Sequence, residues 1–97
     1  MYISLAPFKL KAGVDEQMLL KASDDFEQDF VQKQTGIIKR ILLKNVVGSY
    51  ADLVFFENKE AADRVVQAEQ TSPEFFSLME NTDEAGLSFY HIKTYGK

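Results

Sequence analysis

YADLVFFE (Tyr50–Glu57), NKEAADRVVQAEQ (Asn58–Gln70) and TSPEFFSLME (Thr71–Glu80) run on without a break, and they decide the fold. The first segment is a strand with apolar side chains on both faces. Leu53 and Phe55 point one way; Val54 and Phe56 point the other, together with Asp52. Asn58 ends the strand and suits a helix cap, because its side-chain oxygen can accept a backbone N–H of the first turn. Ala61, Ala62, Val65, Val66 and Ala68 form the apolar side of the helix that follows. Ser72-Pro73 stops it and opens a shorter helical piece holding Phe75, Phe76, Leu78 and Met79. Pro73 falls at its first position, where a missing N–H costs nothing.

Upstream, YISLAPFKLK (Tyr2–Lys11) reads as a strand whose apolar phase shifts at Ala6-Pro7. Pro7 cannot donate a ladder hydrogen bond, so a bulge or an edge gap is expected there. Ala12-Gly13 is a turn. Asp15 to Gln34 is the longest expected helix, with Asp15 and Glu16 in its first turn and Leu19, Ala22, Phe26 and Phe30 on one stripe. Gly36 fits the left-handed position after a helix. IIKRILLKN (Ile37–Asn45) is a long strand, and Val46-Val47-Gly48-Ser49 is the hairpin connection into Tyr50. Downstream, Asn81 to Gly86 is turn-like and Leu87 to Tyr95 is the last strand, with Phe89 and His91 on one face and Tyr90 and Ile92 on the other. The order strand, helix, strand, strand, helix, strand predicts an α+β, ferredoxin-like βαββαβ domain over 1–97. Both helices would cover one face of a four-stranded antiparallel sheet.

Composition narrows the function classes. The chain has 97 residues, 45% of them hydrophobic, with eight Phe and four Tyr, enough to bury one core. Its net charge is −4, which disfavours nucleic acid and anionic membranes as partners. Without cysteine there is no disulfide, thiolate metal site or thiol nucleophile, and a single His excludes a multi-histidine metal site. No apolar run is long enough to span a membrane and no signal peptide opens the chain, so a cytoplasmic location is expected.

The element order, the Ala12-Gly13 turn, FENKEA after the third strand, and TSPEFFSLME followed by GLSFYHIKTYG resemble the dimeric α+β barrel superfamily. The branch they are most similar to is the antibiotic biosynthesis monooxygenase family. The resemblance spans nearly the whole chain and implies oxygenase chemistry without a metal or flavin. Some positions depart from the family pattern. Ala61 is in place, but Phe56 stands where the family often has Trp. The positions that resemble the Asn and the haem-ligating His of the haem-degrading branch hold Ala6 and Met79. No cofactor is therefore expected, haem included.

Two ionisable residues stand out among apolar strand neighbours. His91 is the only side chain that ordinarily titrates near neutrality, and it reads as a catalytic acid–base or as a plain strand histidine. Asp52 reads as a catalytic base or, more commonly in sheets, as the partner of Arg40 or Lys44 across the hairpin. The two should not touch, because the first strand lies between theirs. Phe56, Phe76 and Met79 are the candidate walls of a substrate pocket, although aromatic and Met residues at this spacing are more often plain core. Asp24, Asp25, Glu27 and Asp29 scatter around the first helix and read as a solvated face. Two functions follow: a small-molecule enzyme resembling cofactor-independent monooxygenases, or a non-catalytic dimeric module that binds a small apolar or aromatic ligand or simply packs against a partner.

The strands also predict assembly. A sheet with one wet face should alternate apolar and polar residues, and these strands carry large apolar groups on both faces. A homodimer packing its two sheets face to face is expected.

Overall fold

The computed structural model describes residues 1–80 and 86–96. The turn expected at Asn81–Gly86 falls, except for Gly86, outside the described residues. The elements are β1 (Tyr2–Leu10), α1 (Glu16–Asp29), β2 (Ile37–Lys44), β3 (Tyr50–Phe56), α2 (Lys59–Ala68), a two-residue β4 (Met79–Glu80) and β5 (Ser88–His91). The sheet is antiparallel with the order β2-β3-β1, and β4 and β5 share the far edge of β1. Both helices lie on one side, giving the ferredoxin-like α+β fold.

The caps explain the helix starts. The Asp15 carboxylate accepts the Met18 N–H at 2.9 Å, so Asp15 is the cap of α1 and not a first-turn residue. Asn58 accepts the Ala61 N–H at 2.8 Å and caps α2. The expected stripe Leu19, Phe26 and Phe30 is buried, while Ala22 packs half-buried beside it. Three elements end earlier than their sequence pattern suggests. α1 stops at Asp29, because Phe30 and Val31 both turn into the core and a 3₁₀ turn over Val31–Lys33 replaces the last helical turns. The piece opened by Ser72-Pro73 is only a 3₁₀ turn at Phe76–Leu78, with no side-chain cap. β5 ends at His91 and does not reach Tyr95. β1 begins at Tyr2, so after the Ile92 N–H donates to the Met1 carbonyl the antiparallel partner has run out.

β1 keeps unbroken register with β3 from Tyr2 to Phe8, so there is no bulge at Pro7. On its other edge, among the described residues, β5 pairs Tyr2 to Leu5 and β4 pairs Lys9 and Leu10, which leaves Pro7 in an edge gap. A register shift lies instead in β2, between Ile37 and Lys39. The helix-facing row of the sheet is Tyr2, Ser4, Ala6 and Phe8 on β1 with Tyr50, Asp52, Val54 and Phe56 on β3. These residues and the helices enclose the core, whose most deeply buried large side chains are Phe56, Phe75, Leu19 and Val65.

Candidate functional site

Within that helix-facing row, two positions are small. Ser4 and Ala6 lie between Tyr2 and Phe8, with Asp52 opposite Ala6. The space they leave under the α2–β4 connection is a cavity of about 280 Å³. Its apolar walls include Val54, Val66, Phe76 and Met79, and its polar groups are Ser4, Asp52, Glu69 and Gln70. That volume is near the lower end for ligand pockets and suits a molecule of one or two rings.

Asp52 is 8% exposed and held by Arg40, whose Nε donates to Oδ1 at 2.9 Å. The same guanidinium donates through Nη1 to Glu27 Oε1 at 3.1 Å and through Nη2 to Ser23 Oγ at 2.7 Å. It also lies over the rings of Phe26 and Phe75, 5.2 and 5.0 Å from their centroids. Such a fork of donors on a planar cation fixes Asp52 on the cavity floor. Lys44, the other partner considered, pairs with Glu16 at 2.7 Å. Burial pushes the Asp52 carboxyl above its ordinary range against the pull of Arg40, and the Glu27 charge adds to that rise. Among the described residues Asp52 Oδ2 and Ser4 Oγ have no hydrogen-bond partner, and no unpartnered side-chain atom is sealed from the surface. Both residues line the cavity.

Glu69 completes the polar end. It opens the 3₁₀ turn Glu69–Thr71 that closes α2, where the chain tightens over the cavity. Burial first, and the Asp52 charge second, raise its carboxyl to about 7, partly opposed by Arg40. A carboxyl titrating near neutrality can take or give a proton under physiological conditions.

Of the residues singled out from sequence, Asp52, Phe76 and Met79 meet at this cavity and two do not. His91 sits at the exposed end of β5, its ring edge-on to Tyr2 at 5.1 Å between centroids. β5 is an edge strand, so its helix-side residues lie beyond the helices' cover. Phe56 pairs with Tyr2 at the other end of β3 and is fully packed, 1% exposed, so it serves as core and not as cavity wall. Ser4 and Glu69 were not identified in the sequence reading. The signal for the first is a small polar residue between Tyr2 and Phe8 on a core-facing row; nothing local marks the second. Among the described residues, no group of three His, Cys, Asp or Glu side chains is placed to hold a metal. A second cavity of about 300 Å³ lies between α1 and Ser72–Phe75, over Phe26, Phe30 and Phe75, with Asp25, Asp29 and Glu74 at its rim.

No protein-family model and no curated protein sequence matches this chain. Solved structures do. A conserved protein from Methanosarcina mazei Go1 superposes with a TM-score of 0.71 at 12% identity, covering 95% of this chain and 92% of its own. SnoaB, a cofactor-independent oxygenase from Streptomyces nogalater, gives 0.67 at 14% identity, with coverage of 97% and 94%. An antibiotic biosynthesis monooxygenase gives 0.67 at 12% identity, with coverage of 99% and 100%. The fold is thus the one shared with antibiotic biosynthesis monooxygenase-like proteins, as the sequence resemblance implied.

Proposed function

We propose that the cavity between β1, β3 and the α2–β4 connection binds a compact, mostly apolar organic molecule, and that the protein acts on it as a cofactor-independent, oxygenase-type enzyme. The observation that carries this reading is Glu69. It lines an apolar-walled cavity with Asp52, which Arg40 holds in place, and burial raises its carboxyl to about 7. A cofactor-independent oxygenase needs a base to draw a proton from its substrate, so that the resulting carbanion or enolate can give electrons to dioxygen. Glu69 takes that role, and Phe76 and Met79 hold the ring. The oxygenase part of the proposal is supported by the shared fold with SnoaB. The test is oxygen uptake with a panel of quinols and polyketide-like phenols. Uptake should fall by about two orders of magnitude in Glu69→Gln, with the affinity for these neutral phenols largely kept. Binding without uptake for every compound would refute the enzyme reading.

A second reading is a ligand-binding module without catalysis, favoured by Phe56 and Ala6 at positions where the resembled families carry Trp and Asn. The chain acts as a homodimer in either case. Its outer sheet face presents Ile41, Leu43, Leu53, Phe55 and Tyr90, of which Leu43 and Tyr90 are more than a third exposed in one chain. A twofold partner offering the same face would cover them. Light scattering after size exclusion should give twice the chain mass at micromolar concentration, and a monomer mass would refute the dimer. Among the described residues no helix is long and apolar enough to cross a membrane. A cysteine-free chain suits a reducing cytoplasm, which we take as its setting.

A further inference from the structure

The polar end of the cavity is one-sided in charge. Its described lining includes two carboxylate residues, Asp52 and Glu69, and no Lys, Arg or His. The nearest cation, Arg40, is spent: its donors go to Asp52, Glu27 and Ser23, and its faces lie against Phe26 and Phe75. Two oxygens of residues that line the space have no partner among the described residues, Asp52 Oδ2 and Ser4 Oγ, on side chains that are 8% and 5% exposed. An anionic ligand would meet like charge here with no counter-charge to offset it. A neutral ligand with a single donor would leave either Asp52 Oδ2 or an ionised Glu69 without a donor among apolar walls, which is costly. A ligand carrying several N–H donors and a positive charge satisfies all of these groups together.

We propose that the cavity selects a compact aromatic amine in its ammonium form, with the ring against Val54, Val66, Phe76 and Met79 and the ammonium among Asp52 Oδ2, Glu69 and Ser4 Oγ. This rests on the small-molecule reading above and narrows its substrate class. The ammonium takes the place of the proton that Glu69 otherwise holds. The charged groups facing Glu69 are Asp52 from β3 and Arg40 from β2. The described lining from β1, α2, β4 and the segment before β5 adds no other titratable side chain. Binding therefore drives Glu69 to its ionised form and releases a proton below neutral pH.

Three probes of one shape separate the possibilities: 2-phenylethylamine, 2-phenylethanol and phenylacetate, titrated calorimetrically into the whole protein at pH 6, 7 and 8. The amine stays protonated throughout, as a lysine side chain does. It should bind at least about tenfold more tightly than the alcohol, with phenylacetate weakest. Its affinity should rise about tenfold from pH 6 to pH 8 as Glu69 loses its proton. Glu69→Gln should flatten that rise and remove most of the preference over the alcohol. Asp63→Asn, at an exposed carboxylate paired with Lys59, should change neither and so controls for overall charge. The alcohol or phenylacetate binding as tightly as the amine would overturn the charge selection while sparing the small-molecule reading. A pH rise that persists in Glu69→Gln would overturn the role of Glu69. No binding by any of the three would overturn both readings together.

Discussion

Arg40→Met tests how the cavity floor is held. Methionine keeps much of the stem that packs beside Phe26 and Phe75 and removes the charge, the forked donors and the ring contacts. The variant leaves Asp52, 8% exposed, without its counter-charge, and Ser23 Oγ without its partner. Breaking a buried pair by deleting one member costs ~3–5 kcal/mol, a large share of the ~5–15 kcal/mol that holds a small domain. With an m value of about 1–1.5 kcal/mol per molar urea, the unfolding midpoint falls by ~2–5 M. The chain has no Trp, so far-UV circular dichroism is the natural readout. The loss should depend on pH. Arg40 opposes the rise of both the Asp52 and the Glu69 carboxyls. Without it both rise further, and the folded state keeps protons that the unfolded chain, with carboxyls near 4, releases. Stability of the variant then falls as pH rises through the window from about 4 to beyond 7, and the deficit is smallest in acid. Arg40→Met combined with Asp52→Leu should recover to within about 1 kcal/mol of wild type, since an apolar pair often replaces a buried ion pair at little cost. A single variant that loses under about 1 kcal/mol, or a double variant that loses the sum of the two singles, would refute the coupling.

Three further outcomes are expected. Phe26→Ala should cost ~3–5 kcal/mol, because Phe26 is 6% exposed and stacks on Phe30 and Phe75 at 5.1 and 4.9 Å; a urea midpoint near wild type would contradict this. Gly36→Ala should cost ~2–4 kcal/mol, since Gly36 has φ +91° and a new Cβ would stand 2.5 Å from the Ala61 Cβ; adding Ala61→Gly should restore the steric part. Glu69→Gln should stabilise the fold at pH 8 by on the order of 1–2 kcal/mol, the cavity mouth being wet. A carboxyl raised to about 7 makes the wild type lose stability as pH rises from its unfolded value towards 7, and the amide removes that slope in thermal melts from pH 5 to 8.

Much of the frame was legible because it rests on local chemistry. Asn58 caps as its side chain dictates, and Leu19, Phe26 and Phe30 fall on one buried stripe. The Arg40–Asp52 pair could be anticipated because strand period puts both on the helix-facing side of adjacent strands. Tertiary context settled the rest. His91 looked central in a string of apolar residues, but β5 is an edge strand and leaves it exposed. Phe56 looked like a wall residue, but it lies at the far end of β3 from Asp52's cavity and is packed to 1% exposure, so it becomes core. The strand lane shared by β4 and β5 was not legible, because two residues carry no periodicity. Glu69 reads as an ordinary polar residue at a helix end, and only the 3₁₀ turn over the Ser4–Ala6 gap makes it a cavity group.

The central claim, that this cavity is where a small molecule binds, is tested most directly by amide chemical-shift mapping with 2-phenylethylamine on the isotopically labelled protein. Saturable shifts should concentrate at Ser4, Ala6, Asp52, Val54, Glu69 and Met79. Asp25, Asp29 and Glu74 around the second cavity, and His91 on β5, should stay in place. Saturable shifts centred on that second cavity or on His91, or no saturable shifts at all, would contradict it.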